Sequence, residues 1–206
     1  MQLVLVRHAL PERIHGTDLV GPADPALIEL GERQAERLVN ALTNERVDGI
    51  YASPLARARG TAAPLAAALG VEPQVIADLS EYDADDPHYV PVHEMARLDP
   101  MAWRRMLAGL LPEHVDVTAF TGRVDAAMER IVAAHPGRST AVVVAHAGVL
   151  NVWLAQLLGI ARPLTFPLDY AGITRVIAAR DGRRIVRTVN EIAHVADLLS
   201  MTAGVE

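Results

Sequence analysis

Short apolar runs alternate with longer amphipathic stretches along the chain. Residues 3–6 and 141–145 are uninterrupted apolar runs of strand length, rich in Val, which predicts two buried β-strands. Between them, apolar side chains recur with the period of an α-helix, at Ala35, Leu38, Val39 and Leu42. The alternation of strands and helices predicts an α/β fold of three layers, in which helices cover both faces of a mostly parallel sheet.

Turn-forming residues mark the ends of further elements. Residues 49–52 have the pattern of a short strand. Ser53-Pro54 then predicts the start of a helix, with Ser53 as the N-cap and Pro54 in the first helical position. Gly70 is typical of the C-terminal end of that helix, and residues 72–78 are compatible with another strand. This segment therefore predicts a strand, a helix and a strand in succession.

The last third of the chain continues the pattern and adds an antiparallel edge. Amphipathic and apolar helices are predicted over residues 120–132 and 149–158. Two runs with strand character, residues 173–179 and 184–190, are joined by Asp181-Gly182, which is typical of a β-hairpin. Because hairpin strands are antiparallel, these two form the predicted antiparallel edge of the sheet.

The character of the chain changes between residue 80 and about residue 117. Aspartate and proline are frequent there, and only short helices are predicted, near residues 92–98 and 101–110. We interpret residues 82–117 as a small helical insertion that lies over the functional site. The remainder is interpreted as one domain, so that residues 1–206 form a single domain with this insertion.

Composition and charge restrict the partners. The 206 residues carry a formal net charge of −6 without a block of Lys or Arg, which argues against nucleic acid or an anionic membrane as a partner. The absence of Cys excludes disulfides, thiolate nucleophiles and zinc–thiolate sites. The first apolar run is too short for a signal peptide, and no stretch approaches the roughly 18 apolar residues of a membrane span. We therefore expect a cytoplasmic protein, and the sequence leaves a homodimer open.

Candidate chemistry gathers where three predicted strands end. Arg7-His8 follows the first strand, Ser53 and Arg57 follow the second, and His146 follows the run at 141–145. In open α/β sheets, ligands bind in the crevice beyond the carboxyl ends of the strands. Arginine presents a planar fork that matches phosphate oxygens, and a helix that starts after His146 adds backbone N–H groups. The pattern predicts a local site for a small dianion.

Several motifs carry a resemblance to a known family. In chain order they are Leu-Val-Arg7-His8-Ala9, Asp24-Pro25-Ala26-Leu27 followed by Leu30-Gly31, Ser53-Pro54-Leu55-Ala56-Arg57, Leu79-Ser80-Glu81, His146-Ala147-Gly148, and Asn190 with His194. Together they resemble the histidine phosphatase superfamily, also called phosphoglycerate-mutase-like, in its phosphoglycerate-mutase branch. The resemblance runs from residue 3 to about residue 195 and is weakest between residues 83 and 117.

The resemblance implies a role for each matching residue. His8 is the expected nucleophile, which attacks phosphorus and becomes phosphohistidine. Glu81 is the expected proton donor to the leaving oxygen. The phosphate oxygens are expected to be held by Arg7, Arg57, His146 and the backbone N–H of Ala147. No metal and no cofactor is implied, and the expected partner is a small phosphorylated substrate.

Some positions depart from the family pattern. Ala9 and Ala147 replace family glycines, and three further apolar residues replace the usual polar ones, at Leu10, Ile14 and Ile28. None of these changes removes a catalytic group. Together they predict a more apolar substrate mouth.

Three functions stay open at this point. Asp83, Asp85 and Asp86 stand where phosphoglycerate mutases begin a basic insertion, and carboxylates there would repel a bisphosphate, which favours a phosphomonoester hydrolase over a mutase-type phosphotransferase. A catalytically degraded binding module is the third alternative, and the retained core residues argue against it.

Two further sets of residues bear on these alternatives. Insertion arginines could bind a second anionic group of the substrate or be solvated, namely Arg97, Arg104 and Arg105. The remaining histidines have no metal-ligand spacing, namely His15, His88, His93, His114 and His135.

Overall fold

A six-stranded sheet forms the centre of the computed structural model, which describes residues 1–200. The strands are β1 Gln2–Arg7, β2 Gly49–Ala52, β3 Gln74–Val75, β4 Thr140–Ala145, β5 Ile173–Ala178 and β6 Arg184–Glu191. Their spatial order is β3-β2-β4-β1-β5-β6; the first four are parallel, β5 pairs antiparallel with β1, and β6 pairs antiparallel with β5. The end of the predicted domain, residues 201–206, lies outside the described residues.

Helices connect the strands in the order that the sequence predicts. They are α1 Glu29–Leu42, α2 Ala56–Leu69, α3 Val92–Leu98, α4 Pro100–Leu107, α5 Val117–Ala134, α6 Ala147–Leu158 and α7 Ala196–Leu199. Within residues 1–200, no helix combines the length and apolar character needed to cross a membrane.

The alternation of side chains along β1 explains the three layers. Successive residues of a strand point to opposite faces of the sheet. Leu3 and Leu5 pack in one core cluster with residues of α5 and α6, whereas Val4 and Val6 pack in a second cluster with residues of α1 and α2. Both faces of this strand are therefore buried under helices, as the continuous apolar run predicts, and the three-layer α/β prediction is confirmed.

Strand register brings three carboxyl ends to one edge of the sheet. Arg7 at the end of β1 lies opposite Ala145 of β4, and Ala52 at the end of β2 lies opposite Val144. The predicted hairpin is also present, because β5 and β6 pair antiparallel and Gly182 adopts a positive φ of 88° in the turn between them. Glycine tolerates this conformation without a steric penalty.

Two predicted boundaries were wrong. Helix α2 begins at Ala56 rather than at Ser53-Pro54, and its first backbone N–H donates to Asp24 Oδ1 at 2.7 Å, so a distant loop replaces the local serine cap. The predicted strand at residues 72–78 is reduced to Gln74–Val75, because a short 3₁₀ helix, Ala77–Leu79, follows it. The end of α2 at Gly70, with a φ of 64°, is as predicted.

Candidate active site

The three strand ends open on one cavity of about 410 Å³. Its lining includes the predicted residues Arg7, His8, Arg57, Glu81 and Ala147. His146 does not line the cavity, since its ring is fully buried, with its centroid 5.1 Å from that of His8. The volume lies within the range of about 300–1,000 Å³ that is usual for small-molecule sites.

The ring of His8 is held in one tautomer. Its Nδ1 lies 2.8 Å from the carbonyl oxygen of Ala9, and because a carbonyl oxygen only accepts hydrogen bonds, Nδ1 carries the hydrogen. The neutral ring then has its lone pair on Nε2. Burial, together with the electrostatic interaction with the His146 ring and the charges of Arg57 and Arg7, lowers the pKa of His8 well below its usual value. His8 is therefore neutral, and its Nε2 is available as a nucleophile at pH 7.

Arg7 is fixed on both sides of its guanidinium. Nη1 donates to the carbonyl oxygen of Leu168 at 2.5 Å, and Cζ lies 3.9 Å from the centroid of the Tyr170 ring. Within residues 1–200, its buried Nε has no hydrogen-bond partner. Arg7 is thus held in place with its Nε–H still available to donate a hydrogen bond.

Arg57 is 1% exposed, although it is the second residue of a helix. Its Nη2 donates to Asp83 Oδ1 at 3.2 Å, and its Cζ lies 4.5 Å from the centroid of the Tyr89 ring. Neither Nε nor Nη1 has a partner in the described part of the chain. A buried guanidinium with two unpaired nitrogens is costly unless an anion completes it.

Thr61 joins the helix of Arg57 to the loop that follows His8. Its Oγ1 accepts a hydrogen bond from the Ala9 backbone N–H at 2.8 Å and donates to the Arg57 carbonyl oxygen at 2.7 Å. Thr61 is fully buried. One hydroxyl therefore couples the position of the candidate nucleophile His8 to that of the candidate phosphate-binding residue Arg57.

Ser53 supports His146 instead of capping a helix. Its Oγ lies 2.7 Å from His146 Nε2, and among residues 1–200 the buried Nδ1 of the ring has no partner. Burial and the positive charges of Arg57, Arg7 and Arg123 lower the pKa of His146 well below its usual value. A second neutral imidazole therefore lies behind His8.

Glu81 is 7% exposed and is bound to the start of α6. Its Oε2 accepts from the Gly148 N–H at 2.8 Å, and its Oε1 accepts from the Tyr82 N–H at 3.1 Å. Burial and the nearby Asp83 carboxylate raise the pKa of Glu81 to about 7, while the two N–H groups and Arg57 oppose that rise. A pKa near neutrality suits a group that both gives and takes a proton.

Sequence reasoning missed several residues of the site. Tyr89 and Tyr170 cover the two arginines. Asp83 was predicted to act by its charge alone, and its direct contact with Arg57 was not predicted. Asn151 accepts from the Phe166 N–H at 2.8 Å and so anchors the loop that carries Leu168. Aromatic residues make up only 4% of the sequence, so the tyrosines in predicted loops could have been singled out as candidate site residues.

The residues that depart from the family pattern lie mostly outside the cavity. Ala147 lines it, whereas Ala9, Leu10, Ile14 and Ile28 do not. Leu10 instead is buried, and its N–H donates to Gln34 Oε1 at 2.9 Å. The prediction that these residues make the mouth apolar was therefore wrong in its cause, because Ala9 and Leu10 are buried and Ile14 and Ile28 lie outside the cavity.

The insertion arginines and most of the other histidines lie outside the cavity. Arg97, Arg104 and Arg105 do not line the cavity, and of the other histidines only His93 lines it. His135 bonds to the Tyr51 hydroxyl, and the rings of His15 and His88 lie 5.4 Å apart. In the described range 1–200, no group of three or more His, Asp or Glu side chains is arranged to hold a metal ion.

Comparison with known proteins shows which family has this fold and these motifs. Phosphoserine phosphatase 1 of Hydrogenobacter thermophilus is 29% identical over 205 residues, which cover 96% of this chain and 95% of that protein. A PE-PGRS family protein of Mycobacterium tuberculosis is 32% identical over 181 residues, covering 77% of this chain, but the chain spans only 31% of its length.

A solved structure and a family model extend the comparison. A mycobacterial glucosyl-3-phosphoglycerate phosphatase shares the fold, with a TM-score of 0.74 at 24% identity over 92% of this chain and 98% of that chain. The model of the histidine phosphatase superfamily, branch 1, matches residues 3–191. The chain therefore belongs to the histidine phosphatase superfamily.

Proposed function

We propose that this protein hydrolyses small phosphate monoesters in two steps, with His8 Nε2 as the nucleophile. The observation that carries the proposal is the hydrogen bond from His8 Nδ1 to the Ala9 carbonyl oxygen at 2.8 Å, which leaves the Nε2 lone pair available beside two buried arginines. Covalent catalysis divides one difficult displacement into two easier ones.

The phosphoryl group is proposed to be held by cationic and backbone donors. The unpartnered nitrogens of Arg7 and Arg57 support this, because phosphate oxygens are suitable acceptors for them. The N–H of Ala147, the first residue of α6, is a further proposed donor at a helix N-terminus. A contact of His146 with the phosphoryl group stays a prediction from the sequence, because its ring lies 5.1 Å from that of His8, with Nδ1 unpartnered among residues 1–200, but does not line the cavity.

Glu81 is proposed to move the proton in both steps. In the first, His8 Nε2 bonds to phosphorus, the bond to the leaving oxygen breaks, and protonated Glu81 gives its proton to that oxygen. In the second, a water oxygen bonds to phosphorus, the N–P bond breaks with its electron pair returning to His8, and the Glu81 carboxylate takes a proton from the water. A carboxyl pKa of about 7 supports both roles.

The negative charge of Asp83 favours hydrolysis over mutase chemistry. Of the three aspartates that follow Glu81, Asp83 lines the cavity and bonds to Arg57, so it occupies part of the cationic site with negative charge. A multiply anionic bisphosphate would be repelled there. Formation of a homodimer and a cytoplasmic location stay predictions from the sequence.

Trapping the phosphoenzyme tests the proposal. Brief reaction with a ³²P-labelled monoester, followed by a basic quench, is expected to leave label on the protein that is lost in acid. His8→Ala is expected to trap no label and to lose more than about a thousandfold in activity, which is about 4 kcal/mol of transition-state stabilisation. Retention of label or of greater activity in this variant would refute the covalent route. Activity is expected to survive EDTA.

A further inference from the structure

The cavity has two chemically different ends. One end carries the charged residues of the proposed phosphate site. The other is walled by apolar side chains from α3, α4 and the loop after α6, namely Val92, Met95, Trp103, Met106, Leu107 and Phe166. The apolar surface of the mouth thus comes from the insertion and from the loop after α6, and not from the residues that depart from the family pattern.

Within residues 1–200, the lining of the cavity offers no Lys or Arg beyond Arg7 and Arg57 of the proposed phosphate site. Arg97 pairs with Glu94 at 3.1 Å, Arg104 donates to the Pro100 carbonyl oxygen, and Arg105 pairs with Glu113 at 3.0 Å. All three lie outside the cavity, and the sequence contains no Lys that could replace them.

The ionisable groups at the apolar end do not favour an anion either. Apart from the tyrosines and the residues of the proposed phosphate site, the ionisable residues in the described lining of the cavity are His93 and Asp169. Burial lowers the pKa of His93, so its ring is neutral at pH 7. Asp169 is an acceptor, and its Oδ2 takes a hydrogen bond from Asn190 Nδ2 at 2.7 Å. A carboxylate or second phosphate placed here would lose water without gaining a positive partner of its own, because Arg7 and Arg57 are assigned to the phosphoryl group, and this loss is strongly unfavourable.

We propose that the leaving group of the substrate is a neutral, apolar alcohol, alkyl or aryl, and not the carboxylate-bearing alcohol of phosphoserine or phosphoglycerate. The inference rests on the proposed phosphatase function and adds the class of substrate. Trp103 on α4 and Phe166 on the facing loop are the aromatic walls against which such a group would pack. Asp83 and Asp169 would discriminate against acidic leaving groups by repulsion.

A series of alkyl phosphates separates binding of the leaving group from its chemistry. Ethyl, butyl and hexyl phosphate release alcohols of similar acidity, so differences in kcat/KM report contacts with the chain. We expect kcat/KM to rise by up to about fourfold per added methylene. A hexyl phosphate that carries a terminal carboxylate is expected to have a kcat/KM at least about tenfold lower than that of hexyl phosphate. A preference for that acid, for phosphoserine or for 3-phosphoglycerate would overturn the inference.

Variants of α4 test whether the leaving group binds against this helix. Trp103→Ala is expected to lower the ratio of kcat/KM for hexyl to ethyl phosphate, whereas Met101→Ala, at a 72% exposed position of the same helix outside the cavity, should leave that ratio unchanged. Leu107→Arg, which adds a cation to the wall, should raise the ratio of the carboxylate-tailed to the hexyl substrate. Unchanged ratios in both Trp103→Ala and Leu107→Arg would contradict the inference.

The two proposals fail in different ways. If a phosphoenzyme forms and monoesters turn over but acidic substrates are preferred, only the class of leaving group is wrong. If no monoester turns over and no label is trapped, the phosphatase proposal itself fails, and this inference fails with it.

Discussion

Asp83 and Arg57 form an ion pair inside the cavity, with Asp83 Oδ1 3.2 Å from Arg57 Nη2. Arg57 is almost completely buried, and the Asp83 side chain is 22% exposed. Burial raises the pKa of Asp83 while Arg57 opposes that rise, and the Asp83 carboxylate in turn raises the pKa of Glu81. One aspartate therefore influences both the phosphate site and the proposed proton donor.

Neutralising Asp83 should strengthen phosphate binding. In Asp83→Asn, Arg57 no longer shares its charge with a carboxylate, so we expect the competitive inhibition constant of inorganic phosphate to fall roughly tenfold at low salt. Asp85→Asn, at a neighbouring exposed position outside the cavity, is the matched control and should change it little. Equal effects of the two substitutions would mean that the general charge of the loop matters rather than the ion pair.

The pH dependence of kcat/KM should reflect the ionisation of the Glu81 carboxyl group. A proton donor must be protonated, so kcat/KM for an alkyl phosphate is expected to fall as the pH rises through about 7, the pKa of this carboxyl. Removing the like charge in Asp83→Asn lowers that pKa and should move the decline to lower pH. The profile for p-nitrophenyl phosphate, whose leaving group needs no proton, serves as the reference for ionisation of the substrate phosphate.

Glu81→Gln should affect poor leaving groups selectively. We expect it to slow alkyl phosphates by about 10²–10⁴-fold and p-nitrophenyl phosphate far less, because a phenolate leaves without protonation. The corresponding changes at Asp83, Asp85 and Asp86 should alter mainly KM. If Asp83→Asn shows the dependence on leaving group and Glu81→Gln does not, the proton donor is Asp83.

Gly148→Ala should displace the proton donor. A Cβ at this position would lie 2.3 Å from Glu81 Oε1 and 2.8 Å from the Tyr82 ring, so the Glu81 carboxylate must move. We expect a loss of about 1–3 kcal/mol in the free energy of unfolding and a selective loss of alkyl phosphate turnover. Gly122→Ala, inside α5 with nothing within 4 Å of the added Cβ, is the control and should stabilise the helix by up to about 1 kcal/mol. Full alkyl phosphate activity in Gly148→Ala would show that the contact between Glu81 and Gly148 is dispensable.

Thr61→Val should loosen the link between the His8 loop and α2. The substitution keeps the shape but leaves the Ala9 N–H without its acceptor, at a cost of about 1–3 kcal/mol in the free energy of unfolding. Thr118→Val, exposed on α5, should change that free energy by less than about 0.5 kcal/mol in denaturant titrations. If both variants unfold at the same denaturant concentration, the Thr61 hydroxyl has no structural importance.

The sequence by itself determined the framework of this protein. The apolar runs of β1 and β4 and the helical period of α1 predict their own elements, because these patterns depend on residues two to four positions apart. The strand ends at Arg7-His8 and His146 follow directly, and a parallel sheet places its carboxyl ends at one edge. The candidate site could therefore be predicted as soon as the order of strands and helices was recognised.

Only the tertiary structure decided how that site is charged and enclosed. Asp83 reaches Arg57 across 26 positions, Ser53 supports His146 across 93, and Asp24 rather than Ser53 caps α2 across 32. No local pattern encodes such pairs, since they depend on how loops pack after the sheet has formed. The apolar mouth has the same origin, because Trp103 and Phe166 face one cavity from segments that have no periodic relation in the sequence.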